Sequence, residues 1–371
     1  MKKKKLLCAV LVLGTIIALT ACGTGGSGDT ASLDENPVSI TDAEQPKDKD
    51  FIYDKFNDYV ELTGYQGKDE VILVPSTIEG LPVVSESFII KDGSHVRGIV
   101  FDEGYTNIPH ISCESNDSSP IESIKIPSTC TEINSGLNNP FSALPYLSSI
   151  EVAEGNTVYS VEDGILYANY GDGYKLLMCY PAMKEGDIFS QPDETHLVSS
   201  CFANNLVLKR VENAKAWNGA TAFLGSLVEE VVCSDRWTFL GQHEFEDYSG
   251  ESPLRSITLS ANLDDLVWKV DHFAGLNNLE EIIVPEGNSV FFSEDGVLYY
   301  VGSKETYLLK YPNAHPGEDF NVSEKADMLY LTSTVFENPI YLKRVHVYSK
   351  WESLTKDSGF PNGIEIIADL D

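Results

Sequence analysis

A six-position pattern recurs along most of the chain: an apolar residue, two variable positions, Ile or Val, one variable position, and another apolar residue. It reads Val96, Ile99, Phe101; Ile121, Ile124, Ile126; Leu147, Ile150, Val152; and, cut short, Leu208, Val211. It resumes as Val228, Val231, Cys233; Leu254, Ile257, Leu259; Leu279, Ile282, Val284; and Leu342, Val345, Val347, with partial copies at 72–74 and 363–366. Apolar residues alternating with variable ones over so short a run predict short strands with one buried face. The central Ile or Val positions follow one another at 20 to 26 residues, except for two steps of 61 and 63. Each ordinary step holds one strand and a return path, which predicts stacked coils whose strands form a continuous parallel sheet, a repeat solenoid.

The series of coils is itself duplicated. Residues 96–218 recur as 228–352, displaced by 131 to 134 positions: Glu154-Gly155-Asn156 returns as Glu286-Gly287-Asn288, Tyr180-Pro181 as Tyr311-Pro312, Lys209-Arg210-Val211 as Lys343-Arg344-Val345, and Trp217 as Trp351. Both wide steps carry Asp-Gly (Asp163-Gly164 and Asp295-Gly296) between alternating segments. Asp-Gly supplies the positive φ angles of a two-residue hairpin turn, so each wide step is predicted to hold a hairpin and a third strand, at 175–180 and 308–311. The tyrosines of these meanders (Tyr167, Tyr170, Tyr174; Tyr299, Tyr300, Tyr307) either cover the meander's own core or present a platform for a glycan or protein.

These motifs carry a resemblance. The strand pattern with its companion phenylalanines (Phe88, Phe141, Phe202, Phe273, Phe336), the opening Glu61-Leu-Thr-Gly-Tyr65 with Val74-Pro75-Ser-Thr-Ile78, and the Gly-Asn…Asp-Gly-x-Leu-Tyr segments followed by Tyr-Pro resemble the BspA-like leucine-rich repeat family of bacterial surface proteins over residues 59–352. The resemblance implies a mainly β, right-handed leucine-rich-repeat coil with short helices or turns, surface attachment and protein-protein recognition, and it transfers no ligand residues. The segments 218–223 and 244–248 depart from the family spacing.

The amino terminus predicts export. Lys2 to Lys5 precede an apolar stretch at 6–19, and Leu19-Thr20-Ala21-Cys22 closes it, an arrangement similar to the lipobox of bacterial lipoproteins, which implies a signal peptide at 1–21 and a lipid on Cys22. Residues 22–50 are rich in Gly, Ser, Asp and Glu and read as a disordered tether. The rest divides into a cap and first repeat at 51–95, a first repeat unit at 96–227, and a second unit with its cap at 228–371.

The formal charge is 26 minus 57, or −31, and 22 minus 57, or −35, without the four signal lysines. Such acidity repels nucleic acid and anionic surfaces, so membrane attachment falls to the lipid anchor and a nucleic-acid partner is excluded. Five cysteines remain beyond Cys22 (Cys113, Cys130, Cys179, Cys201, Cys233), an odd number without CxxC spacing, which reads as small core residues, with a Cys113–Cys130 bridge left open. The seven histidines show no zinc spacing, and no catalytic motif, cofactor loop or metal site is expected. Glu244, Glu246 and Asp247 read as a solvated loop with Ca²⁺ binding as the alternative.

Binding therefore becomes the expected function, with an unknown protein or a surface glycan as ligand. A glycan-active envelope enzyme, or its accessory subunit, is the alternative. Outward strand positions are Leu73, Val100, Lys125, Glu151, Glu212, Val232, Thr258, Ile283 and His346. The apolar ones, Leu73, Val100, Val232 and Ile283, mark places covered either by a partner or by the protein's own loops. Val100, Val232, Ile283, Tyr167 and Tyr299 are the candidate binding residues.

Overall fold

The structure is a computed structural model that describes residues 38–40, 48–115, 120–133, 138–171, 173–217, 220–241, 243–247, 249–266, 272–329, 335–349 and 363–370, with backbone alone at Met328 and Leu329. Cys22 and the signal segment lie outside the described residues, as does Trp351. The chain is a mainly β solenoid of short stacked strands, with a 3-10 turn at Asp48–Asp50.

Strand alternation sets the layers. In the first sheet, Val71–Val74, Gly98–Phe101, Ser123–Ile126 and Ser149–Val152 run parallel in register. Ile72, Ile99, Ile124 and Ile150 stack inward as one buried row. Burying each such side chain stabilises the fold by roughly 1.5–3 kcal/mol, and in-register stacking repeats that gain at every coil. A middle sheet follows, Ile188–Ser190, Arg210–Ala214, Glu230–Cys233, Ser256–Thr258 and Glu281–Ile283, then a last one, Asp319–Asn321, Arg344–Val347 and Glu365–Ala368.

The sheet is thus not continuous but broken twice, each time at a wide step. There Tyr159–Glu162, Ile165–Asn169 and Lys175–Cys179 form the expected meander, as do Phe291–Glu294, Val297–Val301 and Thr306–Lys310. The turns use φ of 49° and 73° at Asp163 and Gly164, and 50° and 73° at Asp295 and Gly296. Each third strand then pairs in parallel with a strand of the following coil, Thr195–Leu197 or Met328–Leu329. In the second copy the hairpin also takes a main-sheet bond: Ile282 N–H donates to the Gly296 carbonyl at 2.8 Å. A hairpin lying on the sheet's edge prevents the next coil from extending that sheet.

Phenylalanines form a second internal column. Phe202, Phe223, Phe245 and Phe273 stack with centroids 5.9 Å apart at each step and interplanar angles of 13°, 3° and 16°. The two segments that depart from the family spacing supply Phe223 and Phe245, so their coils keep the stack although their sequences look degenerate. The five cysteines are unbridged; four are buried and Cys113 is partly so. Residues 38–40, placed in the tether by composition, pack on the solenoid: Ile40 is buried, and a Cβ at Gly98 would come within 2.9 Å of its Cγ2.

Candidate recognition surfaces

Two exposed regions carry organised polar and aromatic chemistry. The first is the outward sheet face. Here charges on neighbouring coils neutralise one another at separations of about one repeat. Arg97 donates from Nε and Nη2 to Glu122 at 2.7 Å each and from Nη1 to Glu70 at 2.7 Å. In the middle sheet Arg210 reaches Glu230 of the next coil at 2.5 Å and Glu212 of its own strand at 2.9 Å, Lys209 reaches Glu229 at 2.9 Å, and Arg255 forks onto Glu280 at 2.9 and 3.1 Å. In the last sheet Arg344 pairs with Asp319, and His346 lies between Asp369, at 2.9 Å, and Asp319, at 3.3 Å. Two-pronged Arg–carboxylate pairs fix coil register as well as neutralising charge.

Within this face the apolar candidates differ. Leu73 and Val100 are half-buried neighbours in the first sheet, next to the Gly98 row that residues 38–40 cover. Val232 is half-buried beside Thr258 in the middle sheet, and Ile283, beyond Thr258, is 36 % exposed. Ile188, at that sheet's first strand, is 55 % exposed. Coverage by the protein's own chain therefore operates on the first sheet, while the middle sheet keeps an apolar surface between ion pairs.

Tyr167 and Tyr299 are 2 % and 0 % exposed. They belong to the meander cores, and burial raises the pKa of both phenols; a surface platform cannot include them. Tyr170 and Tyr174, from the same meander, are exposed. The acidic run is likewise not a solvated loop: Glu244, Glu246 and Asp247 are buried. Glu244 accepts the Gly241 N–H at 2.7 Å, Glu246 meets His243 Nδ1 at 2.6 Å, and Asp247 accepts from Ser249 at 2.9 and 2.6 Å. Among the described residues no group of three or more His, Cys, Asp or Glu side chains is placed to hold a metal ion.

The second region did not emerge from sequence. Beyond the carboxyl ends of Arg210–Ala214 and Glu230–Cys233, a cleft of about 290 Å³ is lined by residues including His196, Lys215, Trp217, Arg236, Phe239 and Glu244. Tyr170 packs edge-on against Trp217 at 4.6 Å, Trp217 meets His196 at 5.5 Å, and His196 meets Tyr174 at 5.4 Å. Burial, then the charges of Lys215 and Arg236, push the His196 pKa down to about 4, so its imidazole is neutral at pH 7. Burial and then Arg236 lower the Lys215 pKa. His196, Lys215 and Arg236 come from successive coils about 20 residues apart, a spacing that could have flagged them.

No protein-family model and no curated protein matches the chain. Solved structures do resemble it. A leucine-rich cell surface protein from Faecalibacterium prausnitzii is 17 % identical with a TM-score of 0.41, covering 85 % of this chain and 99 % of its own. The pneumococcal vaccine antigen PcpA is 15 % identical with a TM-score of 0.42, covering 90 % and 100 %. A leucine-rich repeat protein from Bacteroides ovatus is 16 % identical with a TM-score of 0.35, covering 86 % and 98 %. These superpositions are loose, so the physical case for this chain rests on its own residues.

Proposed function

We propose that this chain is an exported surface protein, held to the cell membrane by a lipid on Cys22, whose solenoid recognises protein partners in adhesion. The observation that supports recognition is the outward face of the middle sheet, where Ile188, Val232 and Ile283 present apolar surface among ion pairs already satisfied within the protein. An apolar centre in a polar surround is the anatomy of a protein interface, and pre-paired charges need little reorganisation on docking.

The test presents purified full-length chain to a panel of extracellular-matrix and bacterial surface proteins, alongside the double variant Val232→Lys/Ile283→Lys. Both side chains reach solvent, so the variant should fold with an unchanged circular dichroism spectrum and lose at least tenfold in partner affinity. Equal capture by a folded double variant removes the sheet face from recognition. Cys22→Ala should move the exported chain from the membrane to the soluble fraction; retention at the membrane refutes the lipid anchor.

A further inference from the structure

We propose that the cleft beside Trp217 binds a carboxylate-bearing sugar, with the carboxylate on Lys215 and Arg236 and the pyranose ring against the exposed aromatic side chains. Three independent features support this.

The first is charge. In a chain of net charge −31, the arginines of the sheet face are matched to carboxylates one coil away. Lys215 forms none of the ion pairs found among the described residues and lies close enough to Arg236 to feel its charge. Arg236 donates from Nε to Ser234 Oγ at 3.1 Å, with Asp193 Oδ1 at 3.3 Å, and from another nitrogen to the Asp193 carbonyl, while Nη2 is buried with no hydrogen-bond partner. The Nδ1 of His196 is in the same condition. Buried polar atoms in this state call for an explanation, and an incoming acceptor supplies one. A guanidinium and an ammonium side by side suit a carboxylate.

The second is the aromatic wall. Phe239 lines the cleft with an exposed ring, and the exposed rings of Tyr170 and Tyr174 pack on the cleft residues Trp217 and His196. Such rings offer a flat apolar surface at low entropic cost, which suits the C–H face of a sugar and gives inorganic phosphate nothing to contact. Glu244 lines the same cleft. Its negative charge favours a ligand with one carboxylate and hydroxyls elsewhere over a polyanion.

The third is the duplicate, which serves as an internal control. Strand register aligns Tyr170 with Gly302, Tyr174 with Glu305 and His196 with Met328. The sequence displacement aligns Lys215 with Ser349, and one copy earlier Arg236 and Phe239 align with Gly104 and Asn107. At none of these positions does a coil of this solenoid require an aromatic or cationic residue, so their collection in and around one cleft points to a ligand.

The test is titration calorimetry with saturation-transfer NMR on the full-length protein, using glucuronic acid, 3′-sialyllactose, lactose and inorganic phosphate. One or both acidic sugars should bind saturably, with lactose at least tenfold weaker and affinity falling as salt rises. Lys215→Gln and the exposed-site variant Tyr174→Ala should each weaken binding severalfold while the protein stays folded. Preference between the two acidic sugars separates a uronic acid from a sialic acid. Equal binding of lactose, full competition by phosphate, unchanged binding in Lys215→Gln, or no binding of either acidic sugar overturns the proposal. Val232→Lys/Ile283→Lys should keep sugar binding and Lys215→Gln should keep protein capture, so the two surfaces fail independently.

Discussion

Asn205 offers the sharpest test of what joins one coil to the next. Its side chain is buried, Nδ2 donates to the carbonyls of Pro181 and Lys184 at 2.9 and 3.1 Å, and Oδ1 accepts from the amides of Val207 and Leu208 at 3.0 and 2.7 Å. Asn205→Ala removes all four bonds. The Pro181 carbonyl keeps the Lys184 N–H at 3.1 Å, so the groups that lose their Asn205 bond without that compensation are the Lys184 carbonyl and two amides. At about 1 kcal/mol for each group that water can reach, and more where it cannot, the loss is about 3 kcal/mol. Asn205→Asp discriminates further. A carboxylate still accepts from both amides but turns an oxygen towards two carbonyls, so at pH 7 it should destabilise at least as much as Ala. Burial and carbonyl neighbours raise the pKa of the new carboxyl, so the folded variant binds the proton more tightly than the unfolded one and regains stability as pH falls. Urea unfolding followed by circular dichroism, with hydrogen exchange of the turn at 181–184, reads both effects. A loss below about 1 kcal/mol in the Ala variant, or an Asp variant milder than Ala at pH 7, refutes the clamp.

Two other expectations follow from geometry. Gly164→Ala and Gly296→Ala place the same side chain at the same φ of 73°, but a Cβ at Gly164 meets nothing within 4 Å whereas one at Gly296 comes to 2.9 Å from Glu281 Cβ. The first should cost about 1 kcal/mol for its left-handed backbone. The second should cost clearly more by thermal unfolding, and equal losses would refute the steric difference. The hydrogen bond to Asp369, followed by that to Asp319, raises the His346 pKa, while Arg344 first and then His346 hold Asp319 down at about 2. The folded-state stabilisation is therefore complete below the ordinary histidine pKa of about 6.5 and is lost as pH rises through the raised value. Amides of Arg344–Val347 and Glu365–Ala368 should lose exchange protection as pH rises above about 6.5, after correction for intrinsic rates, and His346→Gln should flatten the trend; a parallel trend in the variant refutes it.

What the sequence revealed and what it concealed divides by the range of the interaction. Inward rows such as Ile99 and Ile124 were legible because burial imposes alternation within one strand, and the hairpins because Asp-Gly turns are local. The sheet breaks were harder to foresee. At the second break the hairpin edge takes a bond from Ile282, a contact between a main strand and the segment that follows it. Asn156, Asn205 and Asn288 show the same limit. The Gly-Asn pairs were visible as repeats, yet the role of Asn156 lies in carbonyls of Pro127 and Cys130 on the preceding coil, and that of Asn288 in Ser260 and Leu263. Asn205 makes the same four-bond clamp without the preceding glycine, so motif matching could not find it. The buried Tyr167 and the exposed Tyr170 separate for a related reason: residues three apart on the same strand and its end differ only in which layer lies above them. The cleft is the extreme case, since His196, Lys215 and Arg236 acquire a common environment only when coils of about 20 residues are stacked. In a solenoid the informative sequence separation is the coil length, and residues set apart by that interval belong in one column before any motif is sought.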